Sequence, residues 1–307
     1  MKYFMVNASR EFDYLIKYSR NIIISGYFFN YSRGTLKPLQ EFDILLSCLK
    51  KEEILYFEAN HIINKENVLV KIMKKDLGTM KDSLKFNFES FKNNSECNYR
   101  QILFIIEYFF DKVPGGIVVF LQNYEILSKL KNFLQEKSKL AKESLFFEEK
   151  INNTNTFSLY QAQIKRSKKA VIFGIIGGKL SEGINFNDEL ARCVIIFGLP
   201  YPSINSTDIK LKMEYNDYLY NKKLSEVNGK EYYENLCMKA VNQSIGRAIR
   251  HRNDYSLIVL ADMRFCNERI MKKLPKWILD TKVEEVDDIE KFKGEMENFY
   301  RLHDPNN

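Results

Sequence analysis

Two uninterrupted apolar runs constrain the fold of this chain more than any other feature. They read VIFGII, from Val171 to Ile176, and CVIIFGL, from Cys193 to Leu199. Strands with one face in water alternate apolar and polar side chains, whereas strands of a parallel sheet are covered on both faces and are apolar throughout. The two runs therefore predict an α/β fold, in which helices cover both sides of a parallel sheet.

Shorter patterns extend this prediction along the rest of the chain. An alternating KFNF run at 85–88 predicts one more strand between polar loops, and the acidic stretch Val283–Tyr300 predicts a peripheral helix. The other apolar patterns predict strands at 3–6, 21–25, 54–57, 68–72, 117–121, 170–176, 192–199 and 255–260, and helices at 10–19, 39–49, 100–110, 124–134, from about 158 onward, and at 207–221.

Composition allows a large folded unit and argues against several classes of protein. With 307 residues and 45% hydrophobic content, the chain can bury a substantial core, in one large domain or two unequal ones. The formal net charge of +7 favours a polyanionic partner. The five cysteines and three histidines have no close ligand spacing, so no metal site is predicted. No apolar run reaches the roughly 18 residues of a membrane span, so no membrane partner is expected.

The stretch Glu231–His251 combines a helix pattern with a cluster of polar side chains. At about 100° per residue, Gln243, Arg247 and Arg250 gather opposite an apolar sector, so the two arginines are expected on one helical face. A solvated amphipathic surface helix is the alternative explanation. Gly246 lowers helix stability by about 1 kcal/mol relative to alanine, which favours a close approach of backbone or ligand there. The apolar sector contains Cys237, Val241, Ile245 and Ala248.

The string Q-x-x-G-R-x-x-R, which ends at Arg250, resembles motif VI of the superfamily 2 iron–sulfur DNA helicases related to xeroderma pigmentosum group D. The longer run Glu234–His251 resembles the branch of this family that acts in sister-chromatid cohesion. The resemblance implies a RecA-like fold in which Arg247 and Arg250 reach the γ-phosphate of ATP across an interdomain cleft. It also implies that Gln243 orients the nucleotide or an arginine, and that Gly246 lies at the nucleotide.

The segment GGKLSEGINF, which begins at Gly177, contains glycines and a lysine but does not form a P-loop. A P-loop needs G-x-x-x-x-G-K followed by Ser or Thr, whereas Gly174 is one residue too close to Gly178 and Leu180 replaces the hydroxyl. The segment instead resembles motif V, which lies between nucleotide and nucleic acid. The resemblance implies DNA contacts from Lys179 and Ser181, and nucleotide or coupling contacts from Glu182, Gly183 and Asn185.

The segment PGGIVVFLQNYEIL, at 114–127, resembles motif IV, whose strand end and helix start contact the phosphates of the translocated strand. The resemblance implies DNA contacts at Gln122, Asn123 and Tyr124. Gln122 and Asn123 stand where the family often has proline and serine. Both side chains can hydrogen-bond a phosphate, but glutamine lacks the fixed turn geometry of proline.

Motif III marks a boundary in the predicted domain order. Gly34 and Thr35 match this motif, which implies a coupling role for Thr35, and Tyr27–Gly34 is an apparent insertion of eight residues. The resemblance implies that residues 1–40 are the carboxyl-terminal remnant of a first RecA-like domain, that 41–280 form the second, and that 281–307 form a peripheral helix and tail. It covers nearly the whole chain, but only the carboxyl-terminal part of the family's length.

The first-domain chemistry of the family has no counterpart in these 307 residues: a P-loop, a strand ending in Asp-Glu-x-His and the four iron–sulfur cysteines are all missing. The resemblance implies a nuclear ATP-dependent DNA helicase of 5′–3′ polarity that acts on single-stranded or forked DNA in repair or cohesion. ATP and Mg²⁺ are then bound mainly by a companion domain or chain, and these residues alone are inactive. A truncated helicase, half of a split helicase and a non-catalytic nucleic-acid-binding scaffold remain as alternatives.

Overall fold

The computed structural model describes residues 9–22, 49–54, 63–150 and 153–303. Its first helix, α1, spans Ser9–Tyr18 and confirms the helix predicted at 10–19. Several predicted features lie wholly or mostly outside the described residues: the strands at 3–6, 21–25 and 54–57, the helix at 39–49, and Thr35 with the insertion before it.

One parallel sheet of seven strands organises the described part of the chain. The strands are β1 Val68–Met73, β2 Gly116–Leu121, β3 Leu145–Phe147, β4 Ala170–Ile175, β5 Cys193–Phe197, β6 Ser256–Ala261 and β7 Val283–Glu285. Their spatial order is β3-β4-β2-β5-β6-β1-β7, and all neighbouring pairs are parallel. The apolar runs at 171–176 and 193–199 correspond to β4 and β5, so the predicted parallel α/β sheet is confirmed.

Helices cover both faces of this sheet. After α1 they are α2 Phe88–Asn93, α3 Ser95–Lys112, α4 Tyr124–Lys137, α5 Asn153–Ser167, α6 Lys179–Gly183, α7 Thr207–Asn221, α8 Gly229–Ile245, α9 Glu268–Met271, α10 Lys276–Leu279 and α11 Ile289–Leu302. None of the described helices combines the length and the apolar composition that crossing a lipid bilayer requires.

Neighbouring residues of the central strands belong to opposite hydrophobic clusters. Ile195 of β5 packs in the cluster that α3, α4 and α11 complete, whereas Val194 and Ile196 pack in the cluster with residues of α5 and α8. All five residues of β5 are buried. Because helices cover each face, every position of β5 is buried among apolar side chains, which explains its uninterrupted apolar run.

The KFNF run does not form a strand, which corrects the prediction for 85–88. Leu84 and Phe86 are fully buried, but the Phe86 amide donates to the Asp262 side chain at 2.9 Å instead of joining a strand. Asn87 then starts α2 through a capping box with Ser90, in which each side chain accepts a hydrogen bond from the other residue's amide. Buried and exposed side chains therefore alternate in this segment although it does not pair with a strand of the sheet.

The carboxyl-terminal segment packs against the sheet, whereas a peripheral helix was predicted for 283–300. Its first residues form β7, which pairs with β1 at the sheet edge. Lys71 of β1 is buried and forms ion pairs with Glu284 of β7, at 2.7 Å, and with Glu295 of α11. Both elements therefore complete the core, and α11 buries Phe292, Met296, Phe299 and Tyr300.

Candidate functional site

The turn after β4 is shaped by two glycines and one carboxylate. Gly177 has a φ of +73°, a left-handed conformation that glycine adopts without strain. A Cβ on Gly178 would lie 2.7 Å from Glu148 Oε1, so the carboxylate occupies the space that a side chain would need. The glycines of this turn therefore have local reasons: the backbone conformation favours glycine at 177, and the Glu148 carboxylate leaves no room for a side chain at 178.

Glu148 joins three elements at the carboxyl-terminal edge of the sheet. It follows β3 directly and is 4% exposed. Its Oε1 accepts hydrogen bonds from the Tyr124 hydroxyl at 2.8 Å and from the Lys179 amide at 3.0 Å. Its Oε2 accepts from the Ile175 amide at 2.8 Å. One carboxylate thus connects the start of α4, the end of β4 and the start of α6.

Two residues predicted to bind DNA meet at this carboxylate and at the residues that follow it. Lys179 Nζ donates to the Lys150 carbonyl at 2.9 Å, and Lys150 Nζ lies 5.4 Å from the centroid of the Tyr124 ring. Burial and the hydrogen bond to Glu148 raise the pKa of Tyr124 to about 12, above the ordinary value of 10. Sequence reasoning identified neither Glu148 nor Lys150, because the sequence patterns did not predict β3, the strand that this charged triplet follows.

Gln122 and Asn123, which follow β2, have partners within the protein. The Gln122 side-chain amide donates to the carbonyl oxygens of Phe86 and Phe197. The Asn123 side chain accepts from the Ile126 amide at 2.9 Å and caps α4. Each side chain thus has a structural role, and the phosphate contacts predicted for both stay predictions.

Helix α8 ends at Ile245, earlier than predicted. Gly246 is its C-cap, so Arg247 and Arg250 lie in the turn that follows and do not share a helical face, which corrects that expectation. Glycine destabilises a helix interior by about 1 kcal/mol relative to alanine, which favours an end at this position. The predicted apolar sector is confirmed for Cys237, Val241 and Ile245, which are buried on α8, whereas Ala248 is buried in the turn that follows the helix.

A hydrogen bond connects the turn after α8 with the turn after β4. Arg247 Nε donates to the Ser181 carbonyl, and Ser181 Oγ donates to the Gly178 carbonyl at 2.9 Å. Ser181 is fully buried, so its hydroxyl acts inside the turn. The structure therefore brings the motif VI segment to the motif V segment, with Gln243 half-buried near the end of α8.

Asp254 organises the chain that carries Arg250. Its Oδ2 accepts from the Arg250 amide at 3.1 Å, and its Oδ1 accepts from the Tyr255 amide at 3.0 Å and from Arg192 Nη1 at 2.9 Å. The Arg192 guanidinium also lies 3.8 Å from the centroid of the Tyr255 ring. Asp254 is 1% exposed and Arg192 is 7% exposed. Sequence reasoning missed both, because nothing local shows that the ends of two strands meet.

Asp188, His251 and Asp254 each place one potential metal-ligand atom within 4.8 Å of the others. His251 Nε2 lies 2.8 Å from Asp188 Oδ1, and both side chains are exposed. Asp254 is already paired with Arg192. The cluster is therefore accounted for by a hydrogen bond and an ion pair.

A family model described as the helicase C-terminal domain matches residues 106–281, which contain the segments that resemble motifs IV, V and VI. The chain belongs to this helicase family. The resemblance to the helicases related to xeroderma pigmentosum group D is thereby confirmed, together with its restriction to a carboxyl-terminal part.

Curated relatives of this helicase domain are longer proteins. The ATP-dependent DNA helicase CHL1 of Meyerozyma guilliermondii is 34% identical over 289 residues, which cover 91% of this chain and 34% of that protein. The ATP-dependent DNA helicase DDX11 of Danio rerio is 35% identical over 294 residues, which cover 91% of this chain and 32% of that protein. The chain thus spans about a third of the length of the curated relatives it matches.

A solved structure named XPD helicase supports the fold of the helicase domain. It matches with a TM-score of 0.50 and 18% sequence identity, and the match covers 72% of this chain and 36% of that chain. The likeness confirms the predicted RecA-like arrangement of the parallel sheet.

The other predicted site residues of this helicase domain are either exposed or outside the described residues. Gly183 and Asn185 are exposed, and a Cβ on Gly183 would meet nothing within 4 Å. The side chain of Glu182 and the whole of Thr35 lie outside the described residues. The roles assigned to these four residues stay predictions.

The described cysteines of the helicase domain do not fit an iron–sulfur cluster. Cys193 of β5 and Cys237 of α8 are fully buried in the core, and burial raises the pKa of both thiols. Cys97 lies on α3, and Cys266 follows β6. In the part of the chain that the structure describes, no cysteine belongs to a group of three or more side chains that could hold a metal ion.

Proposed function

We propose that this chain supplies the second RecA-like domain of an ATP-dependent DNA helicase. In this proposal residues 41–280 form that domain, 1–40 are the end of the first RecA-like domain, and 281–307 are an accessory segment. The single observation that carries the proposal is the hydrogen bond from Arg247 to the Ser181 carbonyl. It connects the segment that resembles the nucleotide-contacting motif VI with the segment that resembles motif V, as a domain coupling ATP to DNA requires.

Arg247 and Arg250 act on the γ-phosphate of ATP in this proposal. Guanidinium groups remain charged and present a planar fork of donors to phosphate oxygens, whereas lysine is a point charge. Both side chains are half-buried in the turn that α8 and Asp254 position. Gln243 orients the nucleotide or an arginine, and Gly246 allows the nucleotide to approach the end of α8.

DNA lies along the carboxyl-terminal edge of the sheet in this proposal. Tyr124 and Lys179 contact its phosphates, and both are tied to Glu148. Gln122, Asn123 and Ser181 contribute mainly by shaping the two turns, since their side chains have internal partners. The remaining positions, Thr35, Glu182, Gly183 and Asn185, couple the DNA turn to the nucleotide.

The substrates and cellular role follow the relatives in this proposal. ATP with Mg²⁺ is bound mainly by a companion domain or chain that carries a P-loop, and single-stranded or forked DNA is the nucleic-acid partner. The helicase acts with 5′–3′ polarity in the nucleus, in DNA repair or sister-chromatid cohesion.

The nucleotide role is tested by measuring DNA-stimulated ATP hydrolysis of a two-domain protein in which a P-loop domain is restored to this chain. Removing one arginine finger in other phosphoryl-transfer enzymes lowers turnover by about 10³ to 10⁵-fold, and we expect the lower end for Arg247→Ala and Arg250→Ala because two arginines share the task. Arg252→Ala, at a nearby exposed position, is the matched control. Folded Arg247→Ala and Arg250→Ala variants with unmodified hydrolysis would contradict the assignment.

The DNA role is tested on the 307-residue chain itself. We expect weak binding of a single-stranded oligonucleotide whose affinity falls steeply with salt, because phosphate contacts release counterions. ATP hydrolysis should stay at background, since the sequence contains no P-loop. DNA-stimulated hydrolysis by this chain alone, or binding that salt does not weaken, contradicts the respective expectation.

A further inference from the structure

The short segment Glu148–Lys150 contacts both predicted DNA-binding elements, yet the motifs of the family give it no role here. It begins where β3 ends, at the same sheet edge as the turns after β2 and β4. The Glu148 side chain accepts hydrogen bonds from Tyr124 and Lys179. The Lys150 carbonyl accepts a hydrogen bond from Lys179, and the Lys150 ammonium group lies over the Tyr124 ring. Two independent sets of contacts therefore join this segment to the predicted DNA surface.

The chemistry at Glu148 requires a carboxylate. All three of its partners are donors: the Tyr124 hydroxyl and the amides of Lys179 and Ile175. Both carboxylate oxygens therefore act as acceptors, and a carboxamide would present an NH₂ group to at least one donor. The same carboxylate lies against Gly178, where a Cβ would come within 2.7 Å of Oε1. Glu148 thus determines the shape of the turn through both hydrogen bonds and steric contact.

Lys150 carries a positive charge, which attracts the negatively charged phosphates of DNA. Lys150 and Lys179 are both exposed, and Lys179 Nζ donates to the backbone carbonyl of Lys150. Lys150 Nζ also lies over the ring of Tyr124, at the start of α4. Two lysines gathered beside an aromatic ring form a cationic surface of the kind that follows a single-stranded backbone.

We propose that Lys150 is a further phosphate-binding residue and that Glu148 is the positioning residue that joins the motif IV and motif V segments into one DNA-backbone subsite. The inference rests on the proposed DNA binding, and it adds a third segment to it. Lys150 and Lys179 bind phosphate oxygens. Glu148 keeps the Tyr124 and Lys179 segments at fixed separation and does not contact DNA.

Lys150→Ala is compared with Lys142→Ala by fluorescence anisotropy of a labelled oligothymidine over a range of salt concentrations. Lys142 is exposed and lies before β3, at the opposite end of that strand from Lys150. The slope of log affinity against log salt is negative, and losing one phosphate contact on a single strand should reduce its magnitude by about 0.7. The Lys150 variant should show this change together with roughly fivefold weaker binding, about 1 kcal/mol. The Lys142 variant should keep the original slope.

Glu148→Gln is compared with Glu149→Gln, because both substitutions remove one negative charge from adjacent positions. Charge alone predicts that each variant binds DNA as well as the unmodified chain or better. The proposed positioning role predicts that only Glu148→Gln weakens binding. It also predicts faster hydrogen–deuterium exchange at the amides of Ile175 and Lys179 in the free protein, with no change at the end of α8.

These measurements separate the inference from the proposed function. If the unmodified chain fails to bind oligothymidine, the DNA role is wrong and the phosphate role of Lys150 falls with it, while amide exchange still decides whether Glu148 positions the turn. If the chain binds but Lys150→Ala and Glu148→Gln match their controls, the inference is overturned and the DNA role stands. Unchanged amide exchange in Glu148→Gln overturns the positioning role alone.

Discussion

Glu148 and Asp254 are both buried carboxylates, and each organises a turn that carries predicted functional residues. Glu148 accepts hydrogen bonds from two backbone amides and the Tyr124 phenol, all of them neutral donors. Asp254 also binds two amides, but it forms an ion pair with buried Arg192 as well. Removing Asp254 leaves a guanidinium buried without its counterion, whereas removing Glu148 leaves neutral donors without an acceptor.

The difference shows how the two turns should respond to mutation. Breaking one side of a buried ion pair costs more stability than leaving a neutral donor unsatisfied, because an uncompensated charge is poorly solvated in the interior. The Asp254 turn also lies between the starts of β5 and β6, so its failure affects the centre of the sheet. The Glu148 turn lies at the carboxyl-terminal ends of β3 and β4, where a change in the conformation of the turn need not disturb the centre of the sheet.

The largest effect is expected for Asp254→Ala. The substitution should lower the free energy of unfolding by about 3–5 kcal/mol, since it breaks a buried ion pair and leaves Arg192 uncompensated. Urea denaturation followed by circular dichroism measures the loss. Asp188→Asn is the control, because it removes an exposed contact with His251 that should be worth less than about 1 kcal/mol. A loss below about 1 kcal/mol for Asp254→Ala would contradict the larger stabilisation assigned to the buried ion pair.

Glu148→Gln should have a smaller effect on stability. The carboxamide leaves at least one buried donor unsatisfied, which costs about 1–3 kcal/mol. The same urea titration measures it, with exposed Glu149→Gln expected within about 0.5 kcal/mol of the unmodified protein. If Glu148→Gln lowers the free energy of unfolding as much as Asp254→Ala does, the charge of Glu148, and not its hydrogen bonds with neutral donors, would account for its contribution to stability.

The steric part of the comparison is tested at the two glycines at the ends of α6, Gly178 before it and Gly183 as its last residue. Gly178→Ala places a Cβ 2.7 Å from Glu148 and 2.9 Å from the Ile175 carbonyl, so overpacking should cost about 1–3 kcal/mol. Gly183→Ala meets nothing within 4 Å and should change stability by less than about 0.5 kcal/mol. Thermal unfolding of both variants measures the difference. Equal unfolding temperatures would show that the carboxylate does not restrict the turn.

The smallest effect is expected for Tyr124→Phe, which removes one neutral donor from Glu148 and should cost about 0.5–1.5 kcal/mol. Burial and Glu148 raise the pKa of Tyr124 to about 12, above its ordinary value of 10. A raised pKa means that the contribution of this hydroxyl is complete below pH 10 and is lost as pH rises towards 12. The stability gap between the two proteins should therefore narrow between pH 10 and 12 in urea titrations. A gap that widens over this range contradicts the assignment.

The sequence predicted the layers of the fold because strands buried on both faces are apolar at every position, and such runs are visible in the sequence. The runs that became β4 and β5, the helix Thr207–Asn221 and the apolar sector of α8 all follow from patterns within about 20 residues. The KFNF run shows the limit of such patterns. Its polar and apolar residues alternate as in a strand. However, the Phe86 amide donates a hydrogen bond to the side chain of Asp262, far away in sequence, and no neighbouring strand pairs with the run.

The sequence by itself determined the parallel α/β class, the helicase family and the positions of the motif segments, since each is encoded in a contiguous pattern. Only the tertiary structure decided what holds those segments in place. Glu148 lies 24 residues from Tyr124, and Asp254 lies 62 residues from Arg192. Such pairs meet because parallel strands bring their ends together at common edges of the sheet. Since no local periodicity encodes which strands become neighbours, the partners of a buried carboxylate follow from strand order alone.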